Sequence, residues 1–351
     1  LVHGGFSKIF KTKTRLTFFV IPLMLAFLAN GFFAENYRVG NLVFGFTMAF
    51  FMCFLYLLIV HNIDYDENTA TYFCKVCFFI ALALIAELIF VFATGDFSCD
   101  GSIYKDMLIF GWGICNNYGA MVAILIPPVL YLAANEKHWY VFYGVAVLTY
   151  IATMFSLSRA AMLVGTAGMI FGLIIIMLTG KNTKKCMIAN GVMLVSVIFV
   201  SVFLRSTIAT VFKSILDMKF SDSGRFNLWK LARDNFIAHP VFGGGFYSCE
   251  FVSRGFLPSF YHNTVIEIAA AMGAFGLTTY LAFRAKTIYL CVRGLNQERL
   301  FLGLMLAVLL GTSLLDNHMF NVYPLFYHAV IIALIELDFN KTVAPVKNMQ
   351  A

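Results

Sequence analysis

Long uninterrupted apolar runs constrain this chain more than any other feature. Ten are counted as long enough to cross about 30 Å of hydrocarbon at about 1.5 Å per helical residue: residues 16–34, 40–60, 71–94, 107–133, 139–156, 160–179, 187–204, 263–283, 300–315 and 323–338. Of the 351 residues, 61% are apolar and 12% charged, against about 45 to 50% and about 25% in globular domains. An ordinary water-soluble domain is excluded, and a bilayer is the expected solvent. The pattern predicts an all-α, polytopic transmembrane bundle. Residues 1–204 carry spans one to seven, residues 205–262 one large loop, and residues 263–351 spans eight to ten with a tail. The first run lacks a small-residue cleavage site and is read as a span, not a cleaved signal.

The net charge of +7 is spread between the runs instead of forming a stripe with interleaved aromatics, so it points to membrane orientation and not to nucleic acid. Lys8, Lys11, Lys13 and Arg15 precede span one; Lys181, Lys184 and Lys185 follow span six; Arg284, Lys286, Arg293 and Arg299 separate spans eight and nine; Lys341 and Lys347 close the chain. With ten spans, all of these fall on one side, which the positive-inside rule makes cytoplasmic, termini included. The opposite short loops hold only Arg38, Lys105 and Arg159. The acidic loop 61–70 weighs little in that rule. Eight cysteines, mostly inside apolar runs, make no disulfide framework, and the Cys74/Cys77 spacing lacks a second ligand pair for a metal. No metal or cofactor is expected.

The long loop falls on the outer side. Residues 206–220 place Ile208, Val211, Phe212, Ile215 and Leu216 on one helical face, as an interfacial helix would. A second helix is expected from Ser221, Asp222 or Ser223 to just before Pro240, with Phe226, Trp229, Ala232 and Phe236 as its apolar stripe. Gly243 to Gly245, Tyr247, Arg254 and Tyr261 follow.

Several residues carry two readings. Arg159, in Ser156-Leu157-Ser158-Arg159, is either a guanidinium clamp on phosphate at the outer face or an arginine snorkelling to headgroups. Arg225 opens the loop helix, where orphan N–H groups favour an anion, or it is solvated. The glycine triplet lacks the lysine and strand of a nucleotide loop; it is a plain turn or a close approach of backbone to ligand. His262 is either a base for a sugar hydroxyl or an interfacial histidine. Asn263 and Glu267 share a helix face, and Glu267 needs a partner, for which an outer-face arginine is the candidate. Asn116, Asn117, Tyr118, Asp316, Asn317, His318 and Asn321 are sugar contacts or loop caps. Asp64-Tyr65-Asp66 reads as a solvated loop, Glu87 has no evident partner, and Gly168 with Gly172 is a helix-packing pair.

Taken in order, Gly113-Ile114-Cys115-Asn116-Asn117-Tyr118-Gly119, Ser156-Leu157-Ser158-Arg159-Ala160, Ser223-Gly224-Arg225-Phe226-Asn227-Leu228-Trp229, His239-Pro240-Val241-Phe242-Gly243-Gly244-Gly245, His262-Asn263-Thr264-Val265-Ile266-Glu267 and Gly273-Ala274-Phe275-Gly276 resemble the O-antigen ligase and polymerase family of bacterial membrane glycosyltransferases. The resemblance runs from about residue 110 to 285. It implies a GT-C-like enzyme of the bacterial cytoplasmic membrane that moves an oligosaccharide from polyprenyl (undecaprenyl) pyrophosphate to an acceptor hydroxyl on the outer side. By position, Arg159 and Arg225 take the pyrophosphate-binding role and His262 the catalytic one. Asn263, Glu267, Gly244, Tyr247 and Arg254 complete the expected substrate contacts. The expected partners are the lipid-linked donor, a glycan acceptor, membrane lipid and other polysaccharide export proteins. Polymerase and ligase both fit. A lipid-linked sugar flippase fits less well, because the polar residues gather in one outer loop and no repeat is visible.

Overall fold

The computed structural model describes residues 14–34, 39–95, 98–99, 102–103, 108–111, 113–191, 225–246 and 260–342. Its helices are α1 (Thr17–Phe33), α2 (Val39–Asn62), α3 (Thr69–Thr94), α4 (Cys115–Asn135), α5 (Trp139–Phe155), α6 (Arg159–Thr179), α7 (183–191), α8 (Arg225–Ala238), α9 (Thr264–Val292), α10 (Gln297–Leu315) and α11 (Val322–Thr342). Seven of them, α2, α3, α4, α6, α9, α10 and α11, are long and apolar enough to cross a membrane. The apolar helices α1 and α5 have 17 residues each, about 26 Å, and fall short of a full crossing. Seven of the ten expected spans are therefore matched by described helices long enough to cross, and two by these shorter helices. The span expected at 187–204 lies beyond residue 191 outside the described residues, as do helix 206–220, Tyr247 and Arg254.

The chain forms two compact units, Leu1–Tyr72 with Phe226–Ala351, and Phe73–Arg225. In the first, α1 packs on α2 and α9, and α11 packs on α2 and α10. The close α1–α2 approach rests on glycine: a Cβ at Gly45 would stand 2.6 Å from the Phe27 carbonyl oxygen. One π turn, Ala49–Phe54, widens α2 at its middle. The remote end of this unit is closed by charge. Arg299, fully buried, donates through Nε to Asp338 at 2.7 Å and through Nη1 to the Gly294 carbonyl at 2.8 Å. Asn296 caps α10 and donates to the same Asp338 at 2.9 Å. The Arg15 N–H and the Tyr56 hydroxyl both donate to Glu336.

In the second unit α4 is the central helix. Of its most apolar window 94% is buried, against 22% for α3, whose Phe79, Ile89 and Phe90 face outward. Pro127 and Pro128 lack N–H groups, so the helix breaks at Leu125 and restarts. Glycines let α4, α5 and α6 close: a Cβ would lie 2.5 Å from Ser156 Oγ at Gly119 and 2.9 Å from Thr153 Cγ2 at Gly165.

Three expectations need correction. The fourth span starts at Cys115 and not near 107, because Ile109–Phe110 and Gly113–Ile114 pair as a two-stranded ribbon whose Gly113 has φ 102°. There the Gly111 N–H donates to Glu87 at 2.6 Å, the partner that carboxylate lacked in the sequence reading. Arg284, Lys286 and Arg293 do not share a loop: α9 runs on to Val292, and Arg284 is buried beside His328 with its guanidinium over Tyr280. Finally, α8 turns Leu228 and Ala232 inward with Trp229 packed beside them, while Phe226 of the expected stripe is exposed.

Candidate functional site

The candidate site lies in the first unit, where α9 begins. His262 has φ 52°, one of only two non-glycine residues with positive φ among the described residues. The other, Leu157, belongs to the Ser-Leu-Ser-Arg turn. Strain of this kind costs about 1 to 3 kcal/mol and persists where neighbours enforce it. At His262 they do. The Trp229 indole N–H donates to the Tyr261 carbonyl at 2.9 Å, and the Tyr261 N–H donates to Glu267 Oε2 at 2.8 Å, so the peptide groups entering the turn are fixed from both sides. Asn263 caps α9 by accepting from the Val265 and Ile266 N–H groups at 2.9 and 3.1 Å, and donates to the Leu314 carbonyl at 2.9 Å.

The imidazole so placed meets a carboxylate 54 positions downstream: His262 Nδ1 lies 2.8 Å from Asp316 Oδ1. The Asp316 side chain is 11% exposed and the His262 side chain 41%. Burial pushes the Asp316 carboxyl up, but the hydrogen bond from His262, the attraction of the His318 and His262 rings and the Asn317 N–H outweigh it. The carboxyl is held well below the usual carboxylate range. An ionised Asp316 can accept a proton from Nδ1, the tautomer that leaves Nε2 as the acceptor of the half-exposed ring. That arrangement can take a proton from a hydroxyl and stabilise the resulting imidazolium.

A second feature stands behind the site. At Gly273, with φ 63°, α9 breaks, which frees carbonyls and N–H groups at membrane depth where each must find a partner. The glycine loop supplies them: Gly244 and Gly245 N–H donate to the Ala270 and Ala271 carbonyls at 3.0 Å each, and Ala274 and Phe275 N–H donate to the Pro240 and Val241 carbonyls at 2.8 and 3.1 Å. Asn235 of α8 adds a bond to Ala270 at 3.1 Å, and Asn30 of α1 one to Ala271. A Cβ at Gly243 would sit 2.2 Å from Ala271 backbone, and one at Gly244 2.4 Å from Asn235. The close approach expected of the triplet is therefore made to a broken helix of the same chain.

The other expected residues fall as follows. Glu267 is fully buried and serves the Tyr261 N–H, not an arginine; its Oε1 has no partner among the described residues. Arg159 is the exposed first residue of α6 in the second unit, behind the N-cap Ser158. Arg225 is the first residue of α8. Tyr118 is buried, stacks on Phe110 and donates to the Leu84 carbonyl at 2.7 Å. The Asp66 carboxylate serves Thr69 and Asn68 at the start of α3, and Tyr65 donates to Glu298 at 2.8 Å. Cys74 and Cys77 are buried free thiols.

Residues 144–281 match the family model described as O-Antigen ligase, a stretch that includes Arg159, Arg225 and His262. No curated protein matches the chain.

Proposed function

We propose that this multi-pass membrane chain, whose residues 144–281 match the family model described as O-Antigen ligase, transfers an oligosaccharide from a polyprenyl-pyrophosphate donor to a sugar hydroxyl on the outer face of the bacterial cytoplasmic membrane. The observation that carries the reading is the His262–Asp316 pair, 2.8 Å apart in a strained turn at one end of a bundle whose other end is basic. Arg293 follows the C-terminus of α9, at the opposite end of that kinked helix from His262. Arg15, Arg299 and Lys341 belong to that same far end. By the positive-inside rule the basic end is cytoplasmic, which supports an outward His262.

In this reading the acceptor oxygen attacks the anomeric carbon as the bond from that carbon to the pyrophosphate oxygen breaks. The hydroxyl proton passes to His262 Nε2, and Asp316 stabilises the imidazolium. The leaving group departs as an anion, and Arg159 and Arg225 are assigned to carry its charge. A single displacement inverts the anomeric centre. No metal takes part in the step, and Asn263 and Glu267 hold the turn.

A surface polysaccharide polymerase is the first reading. The description of the matching family favours a second, ligation of finished glycan to a lipid or protein acceptor. Purified protein incubated with lipid-linked repeat units alone separates them. A ladder of longer products supports polymerisation, and donor left unchanged until another acceptor is added supports ligation. Donor consumed in neither case overturns both.

A further inference from the structure

The second unit holds a groove that the proposed transfer mechanism does not use. It lies between α5 and α7, is an open groove of about 610 Å³, and is lined by Trp139, Gly144 and Leu148 on one side and Lys185 and Ile188 on the other. From Trp139 to Leu148 it runs nine helical residues, about 14 Å, close to the depth of one leaflet of a hydrocarbon core about 30 Å thick. The Tyr143 hydroxyl, donating to Asn190, ties its two walls together. Its floor contains a glycine that packing does not explain. A Cβ at Gly119 or Gly165 would collide with a neighbouring helix, whereas one at Gly144 would meet nothing within 4 Å. A glycine inside a helix is unfavourable, so here it keeps space open.

The groove's polar end is cationic. Lys185 is exposed at its rim and has no carboxylate partner among the described residues, and Lys181 and Lys184 are exposed beside it. A neighbouring groove of about 380 Å³, lined by Lys75, Phe78, His138 and Phe142, differs on this point, because Lys75 is neutralised by Glu136 at 2.8 Å. We propose that the α5–α7 groove is a binding site for an anionic phospholipid, with one acyl chain along Gly144 and Leu148 and the headgroup phosphate on Lys185. An apolar groove about one leaflet deep, with a lysine at its rim that has no carboxylate partner among the described residues, fits that ligand.

The test is lipid retention by the purified full chain, read by native mass spectrometry with phosphatidylglycerol and phosphatidylcholine supplied in equal amounts. Wild type is expected to retain phosphatidylglycerol about five-fold better, the weight of one basic residue at an anionic surface. Lys185→Gln should bring that ratio close to one, Gly144→Leu should lose both lipids by filling the slot, and Lys75→Gln should leave the ratio unchanged. Lys185→Gln is a surface change that keeps the fold, so it decides alone if Gly144→Leu does not fold. Equal retention of the two lipids by wild type, or an unchanged ratio in Lys185→Gln, overturns the proposal.

Discussion

At the scale of single residues the account turns on the chemistry that Asp316 lends to His262. With its carboxyl held below the usual range, Asp316 contributes stability that is present above the ordinary carboxylate value of about 3.9 and is lost as pH falls below it. It is therefore anionic from pH 5 to 8. Replacing Asp316 by Asn removes the charge that steadies the imidazolium. The expected result is a fall in kcat of about 100-fold, within the usual weight of acid–base catalysis. An unchanged kcat would show that the pair is structural. His262 was legible as a candidate because an imidazole at the end of an apolar run is chemically conspicuous. Asp316 was visible only as one polar loop residue among several, since nothing local announces a contact across 54 positions. Leu157 and His262 share a positive φ that their side chains do not encode.

Among elements, the broken helix α9 carries the most consequence. Its Gly273 kink opens four backbone groups, and the loop after α8 closes them with its own, so the turn before α9 and the helix that begins at Arg225 are held by one backbone patch. Gly243→Ala should therefore be costly. Its φ of 75° forbids ordinary side chains, and a Cβ would overlap Ala271 at 2.2 Å. A loss of at least about 1 to 3 kcal/mol is expected, seen as a lowered unfolding temperature in detergent. Gly144→Ala, in open helical space, should instead stabilise by about 0.4 to 1 kcal/mol. Equal behaviour of the two variants would contradict this assignment of the glycines. Apolar runs fixed the existence of the long helices well, because hydrocarbon length and helix rise leave little freedom. Their ends and breaks were less legible. The run from 107 contains a ribbon before α4, and α9 continues past Arg284, because a cation stacked on Tyr280 and bonded to His328 can be kept inside a bundle.

For the whole molecule, the two ends of the first unit have opposite tasks. The far end is a closed network in which Arg299 and Asp338 are both buried and fully used. Arg299→Met strands a buried carboxylate and should cost about 3 to 5 kcal/mol in thermal unfolding, whereas Arg299→Met combined with Asp338→Leu should recover most of that loss. A double variant as unstable as the single one would mean that the pair does more than neutralise itself. The near end leaves an imidazole half exposed at the mouth of the helices, and this openness is what a transferase acting at a membrane face requires. The most direct measurement is transfer from lipid-linked oligosaccharide by purified full chain, wild type against His262→Gln, with unfolding temperatures matched. The account predicts that turnover falls by about 100-fold to 10,000-fold in His262→Gln while donor binding is retained. Turnover within a few-fold of wild type would remove His262 from the chemistry and the proposed mechanism with it.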